Sequence, residues 1–257
     1  MNLTHTGRTA LVTGATRLIG IGAATCLELA RSGANVVFTH WTSYDSDQYG
    51  TPASDPEELL ARLREFPVKS ASIECDLASP GSAPALFDAA EAAIGNIDIL
   101  INNAAHSTHD NVDTLTSESL DQHYRVNSRA TAMLTVEFAR RFRGTHGRVV
   151  NFSSGQHLGS MPDELAYAMS KGAIVAFSQS IAPDLAKRGI TINVINPGAT
   201  DTGWISPEFH AELVAAHPMG RVGTPEDAAR AIAWLTSEEA AWISGQVINS
   251  EGMYRGG

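Results

Sequence analysis

Short apolar runs alternate with longer stretches of helical periodicity along the whole chain of 257 residues. The runs are rich in β-branched residues and predict seven strands, at residues 8–13, 35–40, 70–75, 97–101, 148–152, 190–195 and 246–249. The stretches between them predict helices at residues 20–31, 55–66, 82–94, 116–142, around 167 and at 225–235. Buried strands that alternate with helices pair in parallel and are covered on both faces. The pattern therefore predicts an α/β fold with a doubly wound, seven-stranded parallel sheet.

Two segments and one proline interrupt this regular pattern. Residues 40–55 are polar and aromatic, and they are long for a connection in such a fold. Residues 197–221 form a second long segment, in which 198–221 is predicted to be a loop over the substrate. Pro183 falls within the helix around residue 167, where a proline costs about 3 kcal/mol, so a kink or break is expected near 181–183. No linker or repeat divides the chain, and a single domain over 1–257 is predicted.

Composition and charge narrow the class of protein. The net charge is −10 with dispersed acids, which argues against nucleic acid as a partner, because phosphate binding needs a basic face. The first residues lack the pattern of a signal peptide and no run approaches the ~18 apolar residues of a membrane span, so a cytoplasmic protein without a membrane partner is expected. Cys26 and Cys75 lie in apolar segments, where buried free thiols are a better interpretation than a disulfide.

Tyr167 and Lys171 are four residues apart, so on a helix they lie on one face, about 6 Å apart along the axis. A phenol has a reference pKa of about 10 and is a poor proton donor or acceptor near neutrality. An ammonium one turn away is expected to lower that pKa, and the Ser154 hydroxyl can bind the same substrate oxygen as the phenol. The set suits the transfer of a proton and a hydride between an alcohol and a carbonyl. The alternative is an amphipathic helix with a half-buried tyrosine and a surface lysine.

A glycine-rich turn, TGATRLIGIG at residues 13–22, lies between the first strand and the first helix. Glycines let the backbone approach a pyrophosphate, and a helix N-terminus supplies free N–H groups and a partial positive charge. Tight packing alone would also explain such a turn. Its position after the first strand favours a dinucleotide site.

Together these motifs resemble the short-chain dehydrogenase/reductase family, over about residues 8–252. The family pattern joins a TGxxxGxG turn, an NNAG run, a helical Asn, a Ser thirteen residues before the Tyr of YxxxK, and a PG loop. The chain has NNAA at residues 102–105, Asn127, the thirteen-residue interval from Ser154 to Tyr167, and NPGATDT at residues 196–202. The resemblance implies a Rossmann-like fold and hydride transfer, and it points to the 3-oxoacyl-carrier-protein reductase-like group.

Two departures affect the turn and the NNAG run. Five residues separate Gly14 from Gly20, two more than usual. The family's later glycines are therefore assigned to Gly20 and Gly22, which fits the helix length better than placing Leu18 in the middle position. Ala105 replaces the last glycine of NNAG, so the backbone there is expected to avoid positive φ.

A third departure concerns the choice of cofactor. His40 ends the second strand, where the acid of NAD-dependent members binds the ribose hydroxyls and repels a 2′-phosphate. Arg17 stands in the turn where a basic residue usually accompanies NADP, so NADP(H) is favoured over NAD(H). The alternative is that Arg17 is a surface side chain and His40 packs on adenine. Asp76 either binds adenine, as the resemblance implies, or caps the next helix.

The resemblance also implies a role for each catalytic residue. Tyr167 is the general acid or base, Ser154 polarises the carbonyl, and Lys171 lowers the pKa of Tyr167 and binds the nicotinamide ribose. Asn127 holds a water that links Lys171 to solvent, or is simply a hydrogen-bonding residue of its helix. The implied cofactor-binding set is Gly14, Thr16, Arg17, Gly20, Ile21, Gly22, His40, Asp76, Leu77, Asn103, Ala104, Tyr167, Lys171, Pro197, Gly198, Thr200 and Thr202. No compact metal-ligand motif occurs, and no metal is expected.

Substrate and partners are less closely defined. The segments that carry His106, His109, His157, Met161 and Trp204 are expected to border the nicotinamide. The substrate is expected to be a small-molecule ketone, alcohol or acyl compound, and the acidic surface argues against an acidic carrier protein. Small residues near the catalytic pair, together with the resemblance, imply a homotetramer or homodimer. The alternatives in function are a nucleotide-binding regulator without turnover and, far behind, a methyltransferase.

Overall fold

The fold is seen in a computed structural model, which describes residues 4–253. Its strands β1–β7 are Thr9–Val12, Asn35–His40, Ser70–Glu74, Ile99–Asn102, Gly147–Phe152, Ile190–Asn196 and Val247–Asn249. Its α-helices α1–α9 are Ile21–Arg31, Thr42–Tyr49, Asp55–Leu63, Ser82–Ala93, Ser117–His123, Thr131–Arg141, Leu165–Ala186, Pro207–Ala216 and Pro225–Thr236. A π-helical turn, Tyr124–Ala130, joins α5 to α6, and a 3₁₀ turn, Gly155–His157, follows β5.

The seven strands form one parallel sheet in the order β3-β2-β1-β4-β5-β6-β7. The order reverses between β1 and β4, and in such sheets the crevice at the carboxyl ends of the strands next to the reversal is the usual ligand site. The prediction of a doubly wound, seven-stranded parallel sheet is confirmed.

Helices cover both faces of the sheet because successive residues of each buried strand point to opposite sides. In β1, Val12 packs into a core formed with α1, α3 and α9, whereas Leu11 packs into a second core formed with α4, α6 and α7. Both side chains are fully buried. The residues that follow β1, β4, β5 and β6 are therefore held on strands that are fixed on both faces.

Strand ends agree with the predicted ones to within two residues, while the two segments without predicted structure each contain a helix. Within residues 40–55 lies α2, whose sequence TSYDSDQY buries no residue. Within the predicted substrate loop lies α8, which buries only Leu213. Helices with so little apolar surface lack the periodic signal from which the others are predicted.

Of the kink or break expected near 181–183, the break does not occur, and that part of the prediction is wrong. Helix α7 runs without a break from Leu165 to Ala186. Pro183 lies in the last turn of α7, where its missing N–H removes a single hydrogen bond and little helix remains beyond it. Its own carbonyl still accepts from Lys187 N–H at 3.4 Å. Leu185 stays buried against the second core, which holds the end of the helix in place.

Both cysteines are free thiols, as predicted, and Cys26 is fully buried while Cys75 is only partly buried. Burial raises the pKa of the Cys26 thiol, which keeps it protonated. Within residues 4–253 no helix combines the length and apolar character needed to cross a membrane.

Candidate active site

The glycine-rich turn is held against the end of β4 by close backbone contacts. Gly14 has φ +68°, and a Cβ there would lie 2.5 Å from the Cα of Ala104. A Cβ on Gly22 would lie 2.7 Å from both the Gly14 carbonyl oxygen and the side-chain nitrogen of Asn103. That Asn103 amide donates to the carbonyls of Thr13 and Gly14, at 3.0 and 2.7 Å. Tight packing therefore explains Gly14 and Gly22, and it positions the turn at the crevice.

The first helix begins directly at this turn. Gly20 is the N-cap residue of α1, with extended backbone and no side-chain cap, and Ile21 and Gly22 form the first turn of the helix. The first N–H groups of α1 thus have no capping side chain, and such a terminus suits an anion. The structure places Gly14, Gly20, Ile21 and Gly22 together at this terminus.

The end of β2 and the turn are connected by hydroxyl groups. The Thr16 hydroxyl accepts from Trp41 N–H at 3.2 Å, and His40 Nδ1 lies 3.0 Å from the Thr42 hydroxyl. Burial lowers the pKa of His40 below its ordinary value, so the ring is neutral at neutral pH. Arg17 is not a free surface side chain. It donates to the Thr202 carbonyl at 2.5 Å and stacks on the ring of Tyr49 at 4.3 Å.

Asp76 and Leu77 lie on the turn after β3. The two carboxylate oxygens of Asp76 accept from Ala78 N–H and from the Ser79 hydroxyl, both at 2.8 Å. The N-cap of the next helix is Gly81, so the alternative that Asp76 caps this helix is excluded, and adenine binding stays a prediction. The carboxylate instead stabilises its own turn, and Leu77 is buried.

Ser154, Tyr167 and Lys171 converge at the ends of β5 and α7. Ser154 follows β5 in extended backbone, and the interaction of its side chain with the Tyr167 phenol lowers the pKa of that phenol. Lys171 is 2% exposed and donates to the Phe152 carbonyl at 3.3 Å, with its ammonium 5.4 Å from the centre of the Tyr167 ring. The alternative of a surface lysine is thereby excluded.

The electrostatics of this group differ from the expectation that Lys171 lowers the pKa of Tyr167. Burial of the phenol raises that pKa, and the Glu164 carboxylate raises it further, while the interaction with Ser154 opposes both effects. Burial lowers the pKa of Lys171 itself to about 8, because a desolvated ammonium is unfavourable. The prediction fails here because the lysine is desolvated and lies over the ring instead of pairing with the oxygen.

Asn127 is fully buried within the π-helical turn. Its amide nitrogen donates to the His106 carbonyl and to the Ser170 hydroxyl, both at 2.9 Å, and its oxygen accepts from His106 N–H at 2.7 Å. These bonds tie the segment after β4 to α7, beside Lys171. Both side-chain N–H groups are used by residues far away in sequence, so Asn127 is more than a hydrogen-bonding residue of its own helix. That it holds a water linked to Lys171 stays a prediction.

The segment after β6 closes the same side of the crevice. Gly198 has φ +67°, and its N–H donates to the Asn196 side chain at 3.0 Å. The Thr200 hydroxyl donates to the Pro197 carbonyl at 3.2 Å, and the Thr200 carbonyl accepts from the Trp204 indole at 2.8 Å. Through the bond from Arg17 to Thr202, this segment contacts the glycine-rich turn.

Ala104 and Ala105 follow the Asn103 contact in the segment after β4. Ala104 N–H donates to the Thr13 hydroxyl at 3.1 Å. Among residues 4–253 positive φ at a non-glycine residue occurs only at Met253, so Ala105 avoids it as expected.

The five residues expected to border the nicotinamide differ in burial and in their contacts. Met161 lies beside Ser154, with its sulfur 4.0 Å from the hydroxyl. His106 is nearly buried next to Asn127. His157 bonds to the Asn249 side chain at 3.1 Å, and His109 is exposed, 4.0 Å from Glu164. Trp204 is half exposed. In the described part of the chain, no group of three or more His, Cys, Asp or Glu side chains is arranged to hold a metal ion.

A line of aromatic rings that sequence reasoning missed runs from Tyr167 to α2. The rings of Tyr167 and His123 are 6.3 Å apart, those of His123 and His106 are 4.7 Å apart, and those of His106 and Tyr44 are 5.5 Å apart. Tyr49 lies 6.2 Å from Tyr44 and completes the line. The only sequence signal was the pair of tyrosines within the polar segment 40–55.

Comparison with known proteins agrees with this geometry. The family model described as enoyl-(acyl carrier protein) reductase matches residues 14–253. An uncharacterized oxidoreductase of Bacillus subtilis, YjdA, is 46% identical over 246 residues, which are 95% of each chain. The structure of the landomycin C-6 ketoreductase LanV with bound NADP and rabelomycin is 31% identical, covers 96% of each chain and has a TM-score of 0.84. A short-chain dehydrogenase/reductase of Serratia marcescens is 30% identical, covers 98% of this chain and 99% of its own, and has a TM-score of 0.88. The chain belongs to the short-chain dehydrogenase/reductase family of oxidoreductases.

Proposed function

We propose that this oxidoreductase reduces the carbonyl of a small ketone with NADPH, and that Tyr167 supplies the proton. The observation that carries the proposal is the convergence of Ser154, Tyr167 and Lys171 at the carboxyl edge of the sheet, next to an uncapped helix N-terminus. A regulator that only binds nucleotides has no need for this set. The similar ketoreductase LanV binds NADP together with rabelomycin, which favours the same chemical class of reaction here.

The glycine-rich turn and the uncapped N-terminus of α1 fit a dinucleotide, because close backbone and free N–H groups suit its pyrophosphate. The residues that would hold it are the implied set, with Thr16 and Arg17 at the phosphates and Lys171 at the nicotinamide end. A bound nicotinamide supplies the hydride. Gly198 and Thr200 would form the edge of the site at its nicotinamide end.

The side chains of this protein would supply the rest of the reaction. Ser154 donates a hydrogen bond to the carbonyl oxygen and polarises it. Tyr167 gives its phenolic proton to the same oxygen as negative charge develops there. The raised pKa of Tyr167 keeps the phenol protonated at neutral pH, which is the form that ketone reduction requires. Lys171, with a pKa near 8, carries the positive charge beneath the ring.

The test follows a panel of ketones at the absorbance of reduced nicotinamide, with NADPH and NADH in parallel. Oxidation of NADPH at higher kcat/KM than NADH is expected. Binding of the cofactor without turnover of any ketone or alcohol would favour the regulator. Equal or better use of NADH would overturn the preference for NADP(H).

We also propose that α6, α7 and the π-helical turn pair with a second copy in a homotetramer or homodimer. Tyr124, Met133 and Met169 on these elements are 56%, 45% and 70% exposed. A groove of about 250 Å³ lies between the π-helical turn, α6 and α7, and Ala173 and Phe177 line it. Exposed apolar side chains of this size commonly mark a contact between proteins. The molar mass in solution tests the proposal, and a monomer at micromolar concentration would contradict it.

A further inference from the structure

Helix α2 crosses the crevice from the phosphate end to the catalytic end. At the phosphate end Tyr49 lies under the Arg17 guanidinium, 4.3 Å from the ring centre. At the catalytic end the Tyr44 hydroxyl accepts from Ser107 N–H at 3.4 Å, and its ring contacts His106. The helix therefore touches both groups of residues between which a dinucleotide would extend.

Asp45 lies on the same face of α2 as Tyr49, because the two residues are four apart. Trp41 lies one turn before Asp45 and Tyr49 one turn after it, and these two residues contact Thr16 and Arg17, so the face of α2 that carries Asp45 is turned toward both. The Thr16 oxygen in turn accepts from Trp41 N–H, so its hydrogen is free for Asp45. Burial raises the pKa of Asp45 even though these partners oppose the shift. An anionic side chain thus faces the two donors that the proposed function assigns to a phosphate.

The hold of α2 on this position is weak. The helix has eight residues, none of them buried, and no side chain caps its N-terminus. Helices this short are marginal by themselves and depend on packing, and α2 packs only through side chains that keep solvent contact, such as Tyr44 and Tyr49. The contacts of Asp45 and Tyr49 with the turn can therefore be exchanged for those of a ligand.

We propose that Asp45 is a specificity-determining residue, which competes with the 2′-phosphate of NADP(H) for Arg17 and Thr16 and so reduces the preference for NADP(H) over NAD(H). The proposal rests on the proposed function, which places Thr16 and Arg17 at the phosphates, and it takes the 2′-phosphate as their ligand because Arg17 stands where a basic residue usually accompanies NADP. NAD(H) has no 2′-phosphate and does not need Arg17 for it. The carboxylate also repels a nearby dianionic phosphate, and this repulsion acts in the same direction. The acid that NAD-dependent members carry at the end of β2 is thereby supplied from α2, five residues after His40.

The experiment measures the dissociation constants of NADPH and NADH for the full chain by calorimetry, without substrate. D45N is expected to bind NADPH about fivefold more tightly and NADH with little change. The matched control is D47N, because Asp47 has the same charge on the same helix but is exposed. D45S is a second variant that also removes the charge, and circular dichroism checks that each variant is folded.

A double-mutant cycle with R17A separates competition from general charge. If Asp45 acts through Arg17, D45N has a much smaller effect on NADPH affinity in the R17A background. The same ratio of NADPH to NADH affinity in D45N, D45S and the unsubstituted chain would overturn the proposal. An equal gain in D47N would also overturn it, since it would show a long-range charge effect. Failure of every variant to bind either dinucleotide would contradict the proposed function itself.

Discussion

Helices α7 and α2 both face the crevice, yet they are built in opposite ways. Seven residues of α7 are buried, and its Lys171 is inside the protein with its ammonium beneath the Tyr167 ring. All eight residues of α2 have solvent contact, and its Tyr44 and Tyr49 contact His106 and Arg17 from the solvent side. The groups proposed to move the proton are fixed by packing, whereas those proposed to select the cofactor lie on a weakly held helix.

This difference separates two requirements of the same site. Proton transfer requires positions that stay fixed, because a small displacement of the reacting groups greatly reduces the rate. Recognition of a large cofactor requires an opening, and mobile sites are drawn from the least stable parts of a fold. The predictions below test the contrast, beginning with the residue for which the largest effect is expected.

Tyr167→Phe removes the proposed proton donor without changing the packing of α7. Turnover with NADPH and a ketone is expected to fall by about a thousandfold, while the dissociation constant of NADPH changes little. Tyr124→Phe is the control, since Tyr124 is exposed on the π-helical turn. Retention of activity in Tyr167→Phe would refute the assignment of the proton donor.

Gly22→Ala tests whether the turn is as rigid as the catalytic end. The new Cβ would lie 2.7 Å from the Gly14 carbonyl oxygen and the Asn103 nitrogen, so we expect a loss of about 2 kcal/mol in the free energy of unfolding. Gly155→Ala is the matched control, because its Cβ would have no neighbour within 4 Å. Chemical denaturation measures both, and equal stability of the two variants would contradict the close contact.

Lys171 makes the stability of the catalytic end depend on pH. Its folded-state pKa is about 8 against an ordinary value of 10.5, so the unfolded chain holds more protons between these values and stability rises with pH there. Between pH 8 and 9.5 the unsubstituted chain should gain about 1.5 kcal/mol relative to Lys171→Met. Relative to Lys187→Met, which removes a lysine from an exposed ion pair, the unsubstituted chain should show no such gain. If the free energy of unfolding changes with pH in the same way in the unsubstituted chain and in Lys171→Met, the Lys171 ammonium is not desolvated.

The same contrast explains what the sequence could and could not predict. Ser154, Tyr167 and Lys171 were identified because a fixed spacing on a buried strand and helix leaves a readable pattern. The sheet was predictable for the same reason, since buried strands such as β1 and β4 are continuous apolar runs. Desolvation was not visible, so the direction of the pKa shift of Tyr167 was predicted wrongly.

Residues whose role depends on a single tertiary contact are even harder to predict from the sequence. Arg17 is predicted to bind a phosphate, but its contacts with Tyr49 and the Thr202 carbonyl have no sequence signal, because they join segments far apart in sequence. Helix α2 has neither an apolar face nor a side-chain cap, so no local feature of the sequence predicts it. Pro183 gave a strong local signal, which its position in the last turn of a packed helix made irrelevant.

Tyr49→Ala probes the smallest of these effects, the hold of α2 on the turn. An exposed stack of a guanidinium on an aromatic ring contributes about 0.5–1 kcal/mol, so the free energy of global unfolding should change by less than about 1 kcal/mol. Amide hydrogen exchange within 42–49 should nevertheless become about two- to fivefold faster, because these amides exchange by local opening. Trp242→Ala controls for loss of an exposed ring elsewhere, since Trp242 is fully exposed and lies outside the proposed subunit contact. Amides of α7 should exchange only through global unfolding, and equal protection of α2 and α7 would show that both helices are held alike.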